Sequence, residues 1–314
     1  MINKTKQHML GYLALAVAAS IWGGMYVVSK IVLDYLPPFT LLWLRYAIGL
    51  VFLWFFVVRQ GLRQPFRQDW RLFLSIGFVG YFLSVGLQFI GTWLSSAHMG
   101  AILTSASPVF IVLFAFYVLG ETITGRKIAA LILAMTGVIV VVGWDEQMLD
   151  GNSRSLTGNI ALLGAAVTWA YLSVLAKKAA ERYSPLVVTT YAIFWALWFA
   201  TPAMVIEWRF LPVSGLTQPS VWCAVLYLGI VSTAGAFYLW NRGMHMVEAG
   251  AGSMFFFFQP VVGALLGWLL LGEHLSLSFF VGGSLILLAV LLMSLPARSH
   301  PHKTVQQYTK NIEK

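Results

Sequence analysis

The sequence predicts an all-α integral membrane protein whose ten transmembrane helices form two inverted five-helix repeats. Three observations carry that prediction. Of 314 residues, 59% are hydrophobic and only 10% charged, against about 25% charged in a soluble globular domain. Ten apolar stretches each approach the roughly 20 residues that a helix needs to cross the hydrocarbon core. Residue signatures then recur between the two halves at offsets of 147 and 152.

Along the chain, span 10–33 follows Lys4 and Lys6 and holds the small-residue stretch AVAAS, which alone would suit a signal peptide. Its echo in the second half marks it as a retained helix. Span 39–58 is closed by Arg59 and a gap carrying Arg63 and Arg67, and span 72–90 opens beside Trp70 and Arg71. Span 97–119 runs into LGE at 119–121, and span 127–143 lies between Arg126 and Trp144. The second half starts with 157–176, closed by Lys177, Lys178 and Arg182, and continues with 186–206, bounded by Trp208 and Arg209. Span 220–241 lies between Trp222 and Arg242, span 249–271 again runs into LGE, and span 276–295 precedes a polar tail at 296–314. These runs are too long for strands and do not alternate, so helices are the means of satisfying their backbone groups in lipid. Tryptophans at span ends suit an interfacial belt.

Lysine and arginine set the orientation. Sixteen of the 20 lie on the flanks that share a side with the amino terminus, Arg154 and Arg209 lie on the other, and Lys30 and Arg45 fall inside spans. Both termini are therefore expected in the cytoplasm. The net charge of +9 does not indicate a nucleic-acid partner, because the basic residues occupy short gaps between apolar runs. One cysteine, Cys223, excludes an internal disulfide and is assigned no role.

At offset 147, Gly11, Ala14, Trp22, Lys30 and Pro38 match Gly158, Ala161, Trp169, Lys177 and Pro185, and Asp34 faces Glu181. At offset 152, Gly77, Gly91, Gly100 and Pro108 match Gly229, Gly243, Gly252 and Pro260, and LGE recurs. The chain is thus a duplication with repeats at 10–143 and 157–295. Each half holds an odd number of spans, so the second must enter the membrane in the opposite sense. Inverted repeats are how many secondary transporters build alternating access, so transport is the leading expectation.

With IWGGMYVVSK in the first span, SPVFIVLFAFYVLGE closing the fourth and FQPVVGALLGWLLLGE closing the ninth, the chain resembles the EamA-type family of the drug/metabolite transporter superfamily over residues 10–295. The resemblance implies a multi-pass protein of the plasma (cytoplasmic) membrane that exports small metabolites or drugs. It also implies a central cavity lined largely by the third, fourth, eighth and ninth spans.

In those spans the polar candidates for substrate contact are Gln88, Asn241, Ser253 and Gln259, with Thr104 and Ser105 nearby; the aromatic candidates are Trp93, Tyr238 and Trp240. Phe255 to Phe258 cover every face of one helical turn, so most of those rings face lipid or core. An apolar cavity with scattered hydrogen-bonding groups suits small amphipathic metabolites, amino acids above all. Pro108 and Pro260, mid-span and equivalent, predict kinks by displacing the carbonyls of Thr104 and Phe256, and are candidate gating hinges. Gly263 and Gly267 suit close helix packing. The charged candidates are Lys30 and Arg45, each near enough to a span end for its stem to snorkel; an arginine there suits a carboxylate or phosphate. Asp34, Glu121, Glu248 and Glu273 map to span ends, with His98 and His245 close by, so proton coupling and facilitated movement both stay open. No cofactor or metal is expected. The rival reading, a membrane-embedded enzyme acting on lipid-linked substrates, needs paired carboxylates or a nucleophile with a base. No span or long loop carries such a pair, and His300 and His302 lie in the polar tail.

Overall fold

The computed structural model describes residues 4–62, 69–95, 97–142, 153–271 and 277–294, and these are helical with short connections and no strand. Trp144, Glu273, His300, His302 and the tail at 296–314 lie outside the described residues, as do the side chain of His98 and the surroundings of Gly267. The helices are α1 (Lys4–Leu33), α2 (Pro38–Arg59), α3 (Trp70–Leu94), α4 (Ala97–Thr104), α5 (Ser107–Leu119), α6 (Gly125–Val142), α7 (Ser153–Ala179), α8 (Pro185–Glu207), α9 (Pro219–Met246), α10 (Ala249–Ser253), α11 (Phe258–Leu271) and α12 (Leu277–Ser294). Six of them, α1, α2, α3, α7, α8 and α9, are long and apolar enough to cross a membrane. The others are shorter or form interrupted pairs. Outward positions are apolar, as at Val51, Ile132, Ile160 and Trp198, which fits lipid as the surrounding solvent. This is a multi-pass membrane protein.

Local chemistry explains the boundaries. Pro38 and Pro185 stand in the first turns of α2 and α8, where a missing N–H goes unused. Ser184 adds a cap by accepting from the Val187 N–H at 3.3 Å. Gly120 ends α5 at φ +69°, a left-handed conformation that a residue with Cβ resists. Two features were not legible in the sequence. Ile76–Ser84 within α3 and Tyr227–Gly235 within α9 are π-helical, at matching places in the two halves, a widening of the helix that often marks functional sites.

The prolines behave differently from the expected mid-helix kinks. Pro108 sits in the first turn of α5, after a break at Ser105–Ala106, so its ring meets no preceding helical turn. The freed Thr104 carbonyl accepts from the Ser107 hydroxyl at 2.7 Å. Pro260 is the third residue of α11, which follows a 3₁₀ turn at Met254–Phe257. In both cases the chain is broken one turn ahead of the proline. Phe255, Phe256 and Phe257, in that turn, are buried in protein.

Packing repeats between the halves. Helix α1 lies along α9 and α11, α7 lies along α3 and α5, α2 meets α8, and α6 meets α12. A Cβ placed on Gly91 would stand 2.6 Å from Leu162 Cγ and 2.8 Å from the Gly158 carbonyl; one on Gly243 would stand 2.6 Å from Leu15 Cγ and 2.8 Å from the Gly11 carbonyl. These crossings depend on bare backbone, as small-residue faces in membranes generally do. Gly263 meets the Gly23 carbonyl, 3.4 Å from its would-be Cβ. Gly91→Val and Gly243→Val should each destabilise the fold by about 1–3 kcal/mol through overpacking. Thermal unfolding of detergent-purified protein checks this, and wild-type midpoints would show the crossings to be looser than drawn.

Candidate functional site

Between the two halves lies a partly open cavity, whose non-atom space together with its opening amounts to about 370 Å³. Helix α1 supplies Trp22, Met25 and Tyr26, one face of successive turns. Helix α2 supplies Arg45, α3 supplies Ser84, Val85 and Gln88, and the pair α4 and α5 supplies Thr104 and Ser107. From the second half come Ala165, Trp169, Phe237, Phe256 and Gln259. The Trp22 and Trp169 rings, equivalent in the duplication, meet edge to face with centroids 5.1 Å apart and planes at 87°. Phe237, Trp240 and Phe256 pack around Trp22 at 5.4 to 5.9 Å.

The polar groups are mostly committed. Thr104 donates to the Gly100 carbonyl at 2.6 Å, so its oxygen receives the Tyr26 hydroxyl proton at 2.5 Å. Gln88 lines the same cavity as the Tyr26 hydroxyl. The Trp22 indole donates to the Ser232 carbonyl at 3.0 Å, whereas its counterpart Trp169 and the Gln259 amide nitrogen have no partner. Buried polar groups are seldom left so.

Of the substrate-contact candidates, Gln88 and Gln259 line the cavity and five others do not. Asn241 donates to the Tyr81 hydroxyl at 2.9 Å and to Thr189 at 2.8 Å, which commits its amide to tying α9 to α3 and α8. Ser253 donates to the Gly250 carbonyl, and Trp240 is turned into the aromatic cluster with its indole toward Ser173. Trp93 lies under Arg154, and Tyr238 receives a hydrogen bond from exposed Arg242.

The charged candidates separate. Lys30 reaches the carbonyls of Thr92, Trp93 and Ser95 at 3.1 to 3.4 Å, so it caps the carboxyl end of α3, where a cation is favoured. Arg45 does not snorkel. It is fully buried, because the α9 groups Thr233 and Ser232 hold its head at the bundle centre. Its sequence position near a span end gave no sign of this.

A second charged group was also missed. Glu121 accepts from the Ala249 and Gly250 backbone N–H groups at 2.6 and 3.0 Å and pairs with Lys127 at 3.5 Å and Lys177 at 3.6 Å. Glu248 joins Lys127 at 3.2 Å, and Lys177 also donates to the Val247 carbonyl. Glu121 and Lys177, expected as a turn group and a flank anchor, instead tie α5, α6 and α7 to the start of α10. The recurrence of LGE and of Lys30/Lys177 was the available signal.

The model of the EamA-like transporter family matches residues 9–143 and 156–295. An uncharacterized transporter of Bacillus subtilis, YetK, is 29% identical over 88% of this chain and 84% of its own length. An uncharacterized transporter of Archaeoglobus fulgidus is 26% identical over 94% of this chain and 99% of its own. One solved crystal structure superposes with a TM-score of 0.75 at 24% identity, over 90% of this chain and 95% of that one, which speaks for the fold alone. The chain belongs to the EamA-like transporter family, within the drug/metabolite transporter superfamily.

Proposed function

We propose that this transporter is a secondary permease that exports small amphipathic metabolites, amino acids and related compounds being the starting class, by alternating access between two inverted five-helix repeats. In this reading the chain crosses the plasma membrane ten times, with both termini on the cytoplasmic side. The carrying observation is the cavity itself: it lies where the equivalent helices α1 and α7 meet, and both halves line it. The mirrored glycine crossings and the paired π-helical segments support two copies of one unit. Sixteen of 20 basic residues on one set of flanks support the orientation. The broken fourth and ninth spans are a feature that transporters place at their binding sites.

Reconstitution tests the reading. Proteoliposomes loaded with a radiolabelled mixture of amino acids and related metabolites should release at least one compound in a protein-dependent, saturable way. Protein-independent release of every compound would defeat it. In the same assay Pro108→Ala and Pro260→Ala should lower the turnover rate severalfold and change the half-saturating concentration little, because conformational steps often limit such cycles. Wild-type turnover in both variants would reduce the prolines to packing features.

A further inference from the structure

We infer that the central cavity binds small organic monoanions, a carboxylate held by the Arg45 guanidinium and an apolar or aromatic body lodged against Trp22, Trp169, Phe237 and Phe256. The inference rests on the transport reading and shifts its starting class from zwitterionic amino acids to related organic monoanions without an ammonium group, on the binding chemistry of the cavity.

Arg45 is 0% exposed. Its Nε donates to Thr233 Oγ1 at 2.7 Å, and among the described residues its terminal nitrogens reach Met25 Sδ, a weak thioether acceptor, and Ser232 Oγ at the outer limit for an oxygen, each at 3.5 Å. A guanidinium has five N–H donors in a fork that fits a carboxylate bidentately; here one is firmly held, two are weakly held and two have no partner among the described residues. The rings of Tyr46, Phe89 and Phe237 lie 5.4 to 5.8 Å from its central carbon. They ease the charge without cancelling it. The ion pairs among the described residues join Glu121, Glu248 and Asp69 to Lys127, Lys177 and Arg182, and none includes Arg45. A cation buried without a counter-ion is costly, and an anionic ligand would supply what the protein does not.

Two further donors point the same way. The Gln259 amide nitrogen and the Trp169 indole nitrogen belong to lining residues that are 1% and 7% exposed, and neither has a partner. A ligand group that only accepts hydrogen bonds matches the donor chemistry of all three lining residues. Charge counting narrows the class, because Arg45 is the one charged residue among those described in the lining. A dianion such as a phosphate monoester would carry an unmatched charge into a site of low polarity, and the ammonium of a zwitterion would meet no carboxylate. The duplication does not repeat these groups. The duplication counterparts of Arg45 and Gln259 are Ala192 and Ser107, whereas the glycines at the helix crossings are matched.

Four probes with one ring and different charge test this on the purified full chain in nanodiscs: phenylacetate, phenylacetamide, phenylalanine and phenethylamine. Calorimetry should show phenylacetate binding at least about tenfold tighter than the other three, the scale of one charge-assisted hydrogen bond in a buried site. Arg45→Met should abolish that preference, Arg45→Lys should keep part of it, and Gln259→Leu should weaken phenylacetate binding severalfold, with melting temperatures reporting that each variant is folded. Phenylalanine or phenethylamine binding as tightly as phenylacetate would overturn the inference, as would no phenylacetate binding at millimolar concentration. Should Arg45→Met fail to fold, the wild-type charge series and Gln259→Leu decide alone. Flux in proteoliposomes separates the two levels. Phenylacetate binding with no protein-dependent flux of any compound would sink the transport reading and leave the site, whereas carriage of uncharged compounds with no anion preference would do the reverse.

Discussion

Glu121→Ala should destabilise the protein by about 3 kcal/mol, near the lower end of the range for breaking a buried ion pair by removing one partner. The carboxylate is 13% exposed, and its lysines, Lys127 and Lys177, are 5% and 17% exposed. Removing it leaves two partly buried cations facing one another and takes the acceptor from the Ala249 and Gly250 N–H groups. Three contacts soften the loss, since Lys127 keeps Glu248 and the Thr122 carbonyl and Lys177 keeps the Val247 carbonyl. Glu121→Gln, which retains an acceptor but no charge, should fall between alanine and wild type. Adding Lys177→Ala to Glu121→Ala should recover part of the loss, because the pair is coupled and not additive. Thermal unfolding in detergent at low and moderate salt measures all three. A wild-type midpoint for Glu121→Ala would show that the cluster does not hold these helix ends together.

Trp22→Ala should cost about 3–5 kcal/mol, the range for truncating a buried tryptophan, and should abolish transport. The side chain is 3% exposed, packs against four other aromatic rings and bonds the Ser232 carbonyl in the π-helical part of α9. Its loss would merge an empty volume with the central cavity and remove the wall between α1 and α9. Trp22→Phe separates packing from hydrogen bonding: it keeps most of the ring contact and loses the bond to Ser232, so it should cost about 1 kcal/mol beyond the volume change. Midpoints together with initial transport rates check both. Equal stability of the alanine variant and wild type would mean that the aromatic cluster is not the joint between the halves.

Both side chains occupy positions that the duplication marked, Trp22 with Trp169 and Glu121 within LGE. The sequence singled them out as recurrent without saying what they touch. Gln88 and Gln259 were legible as polar groups in otherwise apolar spans, and they do line the cavity. Asn241 looked the same and is spent on Tyr81 and Thr189. No property of these amides alone separates them. The difference lies in the rotation of each helix about its axis, which depends on what packs against it.

By itself the sequence determined the solvent, the helices and the family. Those depend on composition over about 20 residues, on the need to satisfy backbone groups within a segment, and on motifs at set spacing. Gly263 likewise suited close helix packing before its partner, the Gly23 carbonyl, was known. The tertiary structure alone decided where Arg45 puts its charge, which carbonyls Lys30 caps, where the fourth and ninth spans break, and how Glu121 gathers two lysines. Each of those rests on groups distant in the chain, 188 residues apart for Arg45 and Thr233. The energy of a buried charge is set by the partners around it and not by its neighbours in sequence.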